Sequence, residues 1–305
     1  YQLAFVVTAI IVLLGVILFS WQQHIFPNIN TVIHTLKKRL LGISILIITV
    51  PLLFFLLHYH HLFRMLIIVI GIITALWILG QAWLRKKQDP QLAQRLLFFL
   101  LLAIFATVFW SLYMLLPTAV IIFLDRNVAR GALSASSLMA FNPVYMLILG
   151  PLLSYLWLQL GKHNKVFPVV AKFSVSLILI GLALFMLVLG IYFANSSGQT
   201  TLLWVGLFFL LLSIAEMIIA PAGYSMVGKL IPEQMQSTML GVWQLVLGVG
   251  RALSGQLAQW VITPNGSQQL ALTNPLYAKN FWYFGLAAVV CGLIPLVFVK
   301  RFGKV

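Results

Sequence analysis

LLWVGLFFLLLSIAEMIIAPAGYSM, residues 202–226, decides how the rest of the chain is read. The run is long enough to cross a hydrocarbon core of about 30 Å as a helix, yet it carries Glu216 within it. A charged side chain at that depth costs roughly 3 kcal/mol on insertion scales, so it faces protein or a wet cavity and has a partner. The chain has only four acids, Asp89, Asp125, Glu216 and Glu233, so one at bilayer depth calls for an explanation. Pro221 cannot donate to the carbonyl of Met217, which weakens the helix one turn beyond the acid. Charge beside a weakened helix is a recurring construction of midplane solute sites. The plainer alternative is a structural ion pair with Lys or Arg; the pattern favours a substrate or proton role.

Composition extends this reading to the whole chain. With 62% hydrophobic residues, 8% charged residues and a mean hydropathy of +1.08, the sequence is that of a membrane protein. The single Cys291 excludes a disulfide framework and a cysteine metal site. A net charge of +15 raises the question of nucleic acid. The basic residues instead sit in short loops between apolar runs, where they report topology, so nucleic acid is not an expected partner. The chain opens at Tyr1 inside an apolar run, with no methionine or charged leader, and reads as part of a longer polypeptide without a signal peptide.

Eight hydrophobic helices are expected at about 2–19, 40–57, 62–83, 94–116, 138–158, 167–194, 201–229 and 236–262, with a ninth at 281–299. When Lys37, Lys38 and Arg39 are placed in the cytoplasm and the spans threaded alternately, Arg85, Lys86, Lys87, Arg95, Lys162, Lys165, Lys229, Lys300, Arg301 and Lys304 fall on the same side. The other side receives mainly Arg64, Arg126, Arg130 and Lys279. By the positive-inside rule the C-terminus is then cytoplasmic. The expected organisation is the last helix of a first bundle at 1–20, linkers and an inserted transmembrane hairpin at 21–93, and a six-helix bundle at 94–305. The hairpin contains no acid and is expected to lie loosely at the periphery.

Five further stretches make a family resemblance specific. They are Phe109 to Thr118 with Asp125-Arg126-Asn127-Val128, Phe141-Asn142-Pro143 with Leu149-Gly150-Pro151-Leu152, Pro168 to Phe173, Ser213 to Val227, and Met239-Leu240-Gly241-Val242-Trp243. In this order and spacing they resemble the seventh to eleventh helices of the proton-dependent oligopeptide transporters of the major facilitator superfamily. The resemblance implies an all-α membrane protein seen from the sixth helix of a twelve-helix transporter onward. It also implies the inserted pair that bacterial members carry, a location in the bacterial inner membrane, and a missing N-terminal bundle as partner. The implied activity is symport of di- and tripeptides with protons, the proton being the coupling ion and no cofactor being needed. Transport of another small solute, or a transport-incompetent scaffold or receptor half, stays open.

Residue by residue, the resemblance implies that Glu216 meets the peptide's amino terminus and that Asn142 helps to hold it. Trp243 would line the cavity, and Tyr113 would offer a hydroxyl to the peptide. Packing is the competing reading for Asn142, Trp243 and Tyr113. Two departures stand beside these matches: Met114 and Leu115 occupy positions where many members have a glutamate and a glutamine, so the seventh helix supplies no proton carrier. Met114 and Leu115 are expected to line the site and to shift side-chain preference towards apolar groups.

Arg251 replaces a small or amide residue of the family pattern. It lies roughly 12 Å beyond Trp243 along its helix, and an ion pair with Asp125 is expected, against snorkelling to the interface. Elsewhere, Gly241, Gly248 and Gly255 recur every seven residues as a stripe for close helix approach. His58, His60 and His61 read as a solvated turn rather than a metal site. No nucleophile has an adjacent base, so enzymatic chemistry is not expected.

Overall fold

The computed structural model describes residues 2–22, 36–162, 168–261 and 269–302. Residues 23–35 of the expected linker, Lys165 and Lys304 lie outside the described residues. The chain divides into two compact units, Tyr1–Phe63 and Arg64–Val305. The first contains α1 (Gln2–Gln22) and α2 (Leu36–His58). Helix α3 (His60–Arg85) begins in the first unit and runs on into the second.

The second unit holds the bundle: α4 (Pro90–Tyr113), α5 (Ile121–Arg126), α6 (Ala135–Met139), α7 (Phe141–Lys162), α8 (Val169–Tyr192), α9 (Leu202–Leu230), α10 (Glu233–Val261) and α11 (Leu270–Phe302). Among the described residues six helical stretches are long and apolar enough to cross a membrane: His60–Arg85, Pro90–Arg126, Ala135–Lys162, Val169–Tyr192, Leu202–Leu230 and Leu270–Leu296. Helix α10 matches them in length, but Gln236, Gln244, Arg251, Gln256 and Gln259 make it more polar.

Glycines set the closest approaches. A Cβ at Gly181 of α8 would lie 2.7 Å from the Gly285 carbonyl oxygen of α11, and one at Gly292 of α11 would lie 3.0 Å from the Ser174 carbonyl oxygen. Small residues at these points let the two backbones meet, the usual solution where lipid supplies no hydrophobic drive. A Cβ at Gly250 of α10 would meet Trp110 Cβ of α4 at 2.7 Å, and one at Gly223 of α9 would meet the Trp243 ring of α10. The heptad stripe behaves otherwise: added Cβ atoms at Gly241 and Gly255 would meet nothing within 4 Å, and one at Gly248 would meet only Ile67, at 3.7 Å. Close packing of α10 therefore falls to Gly250, while Gly241 and Gly255 of the stripe face open space and Gly248 makes only an ordinary contact. Helix α3 buries Ile78 and Ala82 while most of its large side chains stay exposed. A crevice of about 280 Å³ separates it from α4 and α10.

Two expected boundaries shift, and one expected weak point does not break the helix. The span expected at 94–116 ends as α-helix at Tyr113, then continues through a π-helical turn, Leu116–Val120, into α5. Pro117 cannot donate to the Tyr113 carbonyl, and Val120 N–H reaches back five residues to Leu115 O (2.9 Å). The last helix starts at Leu270, well before the expected residue 281. Its polar Thr273-Asn274-Pro275 reads as loop, but those polar groups are used. Asn127 Nδ2 donates to Thr273 Oγ1 (2.9 Å) and to Asn274 Oδ1 (2.7 Å), and Asn274 Nδ2 donates to Gly198 O (2.8 Å). Lastly, α9 runs unbroken across Pro221, so the weakened point beyond Glu216 is not a break.

Candidate functional site

Glu216, Tyr113 and Asn142 arrive from three helices. Tyr113 is the last residue of α4, where Pro117 ends regular α-helix, and its ring meets Trp110 edge-on at a centroid distance of 5.3 Å. Asn142 stands at the start of α7 and is 7% exposed; Glu216 lies inside α9 and is half-buried.

The three side chains form one hydrogen-bonded cluster. Tyr113 O–H donates to Glu216 Oε2 at 2.6 Å. Asn142 Nδ2 donates to the same Oε2 at 3.1 Å and to the Tyr113 hydroxyl oxygen at 2.9 Å. Ser213 fixes the sense of that amide. Its hydroxyl lies 2.6 Å from Asn142 Oδ1, a pure acceptor, which turns the N–H₂ end towards the carboxylate. Ser213 is fully buried; with its one hydroxyl hydrogen given to Oδ1, Phe209 O at 2.7 Å is the competing acceptor.

Both donors that reach Glu216 meet it at Oε2. Among the described residues Oε1 accepts no hydrogen bond, and no Lys or Arg pairs with Glu216. The expected alternative of a structural ion pair is therefore not what holds this acid. A carboxylate with one oxygen anchored and the other free can take a charge-assisted hydrogen bond from an ammonium group or hold a proton.

Trp243 is placed differently from the expectation that it lines the site. It is 0% exposed, its ring fits the notch at Gly223, and it meets Phe173 and Tyr224 edge-on at 6.2 and 6.4 Å. The competing reading, bundle packing, describes it. Leu115 too is wholly buried, so it belongs to the core rather than to a lining; Met114 stays partly exposed. The expected Asp125–Arg251 ion pair does not form. Arg130, five residues along the same connection, takes Asp125 instead (Nη2 to Oδ1 2.7 Å) and also donates to Leu133 O at 2.7 Å. A local partner costs less chain ordering than one on another helix, and Arg251 is left exposed on α10 with no ion pair among the described residues.

Sequence reasoning missed Ser213 as a member of the cluster. Its spacing of three from Glu216 puts both on neighbouring positions of one helix face, a signal that could have found it.

Comparison with known proteins agrees with this architecture. The family described as PTR2, POT family, matches residues 1–274. Dipeptide and tripeptide permease B of Yersinia enterocolitica is 28% identical over 242 residues, 77% of this chain and 48% of that protein. Dipeptide and tripeptide permease A of Erwinia pyrifoliae is 27% identical over 266 residues, 86% of this chain and 52% of that protein. Thus the chain spans about half the length of the curated relatives it matches. Among solved structures, a bacterial homologue of the human drug peptide transporters PepT1 and PepT2 superposes with a TM-score of 0.77 at 20% identity, over 99% of this chain and 62% of that one. A POT family transporter in complex with 5-aminolevulinic acid gives a TM-score of 0.66 at 25% identity, over 87% and 54%. The fold is shared over nearly the whole chain, and the sequence pattern runs from residue 1 to residue 274 of 305; this protein belongs to the POT family.

Proposed function

We propose that this chain supplies the C-terminal half of the substrate cavity of a proton-coupled transporter of di- and tripeptides in the bacterial inner membrane, with its C-terminus in the cytoplasm. On this reading residues 1–20 end the first bundle, 21–93 carry the inserted hairpin, and 94–305 form the second bundle. The observation that carries it is the half-buried Glu216, with Oε2 anchored by Tyr113 and Asn142 and Oε1 unoccupied. A peptide ammonium on Oε1 and a proton on the same carboxylate exclude one another, which is a way to couple their movements. The names of the permease relatives support peptides as the solute class.

The seventh-helix departures favour a second reading, another small amine-bearing solute. Met114 and Leu115 provide neither a carboxylate nor an amide, and one relative was solved with 5-aminolevulinic acid rather than a peptide.

The full-length protein in proteoliposomes tests the proposal. Labelled dialanine should accumulate when the outside is acidified and should stop accumulating when a protonophore collapses the gradient. Accumulation unaffected by the protonophore removes proton coupling. No uptake of dialanine, with 5-aminolevulinic acid taken up, selects the second reading.

A further inference from the structure

Lys279 of α11 lines a cavity of about 650 Å³ between the end of α8 and the first turns of α11, together with Tyr192, Asn274, Trp282 and Tyr283. No acid lines this cavity, and the exposed Lys279 forms no ion pair among the described residues. The Glu216 cluster draws on α4, α7 and α9 and takes nothing from α11, so the cavity is separate from that site.

Two close approaches set the depth of Lys279. Gly181 of α8 meets Gly285 of α11, and Ser174 meets Gly292, so the two helices run antiparallel. Going towards the same end of the bundle, Tyr192 lies about 16 Å beyond Gly181 and Lys279 about 9 Å beyond Gly285 at 1.5 Å per residue. Lys279 is thus about 7 Å short of the end of α8, and its stem can run up towards the polar boundary. Tyr192, Trp282 and Tyr283 are exposed around it, as amphipathic rings are at a membrane–water interface.

On the membrane side of Lys279 one face of α11 continues as Tyr283, Leu286, Val290 and Leu293, at spacings of three and four. All four are exposed. From Tyr283 to Leu293 this face runs about 15 Å. That is half of a hydrocarbon core of about 30 Å, the depth of one leaflet. A lone cation, a ring of aromatics and an apolar track of leaflet length follow one another as phosphate, glycerol and acyl chain do in a phospholipid.

We infer that the cavity and the track below it hold one anionic phospholipid of the leaflet away from the C-terminus. Its phosphate sits on Lys279, whose ammonium offers three donors, and an acyl chain lies along Leu286, Val290 and Leu293. A phosphatidylethanolamine brings its own ammonium, which Lys279 repels and for which the cavity has no carboxylate. The lipid class is therefore phosphatidylglycerol, which carries the phosphate charge alone.

The test uses the full-length protein, purified in detergent and stripped of lipid, with phosphatidylglycerol or phosphatidylethanolamine of the same acyl chains added back. Retained lipid is counted by native mass spectrometry. Wild-type protein should bind phosphatidylglycerol about 5-fold or more tighter, the scale of one basic residue at an anionic lipid surface. Lys279→Gln should lose that preference, and Lys279→Arg should keep it. Independently of these variants, a p-benzoylphenylalanine placed at position 283 should crosslink to phosphatidylglycerol on illumination. Equal retention of the two lipids by wild-type protein overturns the inference, and so does an undiminished preference in Lys279→Gln. Crosslinking from position 283 to a second copy of the chain also overturns it, assigning this face to an oligomer contact. No lipid captured at position 283, with phosphatidylglycerol still retained, places the lipid elsewhere and overturns it too.

Discussion

Tyr113 and Glu216, 103 positions apart in the chain, are joined by a 2.6 Å hydrogen bond from the tyrosine hydroxyl to Oε2. That bond ties the point where α4 gives way to a π-helical turn to the carboxylate of α9. A hydrogen bond to a charged group contributes about 1.5–3 kcal/mol. Tyr113→Phe should therefore lower the unfolding midpoint of the detergent-solubilised protein by several degrees, with secondary structure unchanged by circular dichroism. It should also weaken dialanine binding, because Glu216 loses the donor that fixes its rotamer. An unchanged midpoint would show that the bond does not hold α4 to α9.

Ser213 acts on Glu216 through Asn142, as the group that orients the amide. Ser213→Ala and Asn142→Ala should each weaken dialanine binding, and the double variant should be no worse than Asn142→Ala alone. Such non-additivity is the mark of residues in one network. Losses that simply add would mean that the serine serves only the packing of α9.

Gly223 and Trp243 test the correction to the site. Gly223→Ala would force a methyl into the Trp243 ring, and overpacking of this kind costs about 1–3 kcal/mol or more. The expected result is a lower unfolding midpoint and reduced yield of folded protein. Gly223→Ala combined with Trp243→Phe should recover part of the loss by making room. A Gly223→Ala variant as stable as wild type would contradict the notch.

Much of the fold was legible because the hydrophobic runs are long and the polar residues within them few. All nine expected spans appear as helices among the described residues. What was not legible has a common physical cause, polar or small residues whose use depends on a distant partner. Thr273-Asn274-Pro275 reads as loop until Asn127 is seen bonding Thr273 and Asn274. Trp243 reads as a lining aromatic until the absence of a side chain at Gly223 is seen to make room for its ring. The Asp125–Arg251 pair failed because Arg130, close in sequence, supplied a nearer cation. Glu216 and Asn142 were found together because each stands out as polar in an apolar run, whereas Ser213, small and unremarkable by type, did not.

Asn127 carries a prediction for the loop cluster that joins three connections. It is 0% exposed, bonds Thr273 and Asn274 through Nδ2, and accepts from Thr200 N–H at 2.8 Å through its carbonyl. Asn127→Leu leaves Asn274 without a donor and should destabilise the protein by about 1–3 kcal/mol. Hydrogen exchange should rise selectively at the start of α11, around Leu270 to Leu276. Uniform exchange across α11 would show that the cluster does not pin that end.

Glu216→Gln tests the central claim most directly. The substitution keeps an oxygen to accept from Tyr113 and Asn142 while removing the charge that would attract an ammonium. Competition by dialanine and by N-acetyl-dialanine for uptake of a labelled dipeptide should be measured in proteoliposomes of the full-length wild-type and Glu216→Gln proteins. The account predicts that wild-type protein prefers the free amine strongly and that Glu216→Gln, folded and inserted normally, loses that preference together with most uptake. Wild-type rates and an undiminished preference for the free amine in Glu216→Gln would contradict it.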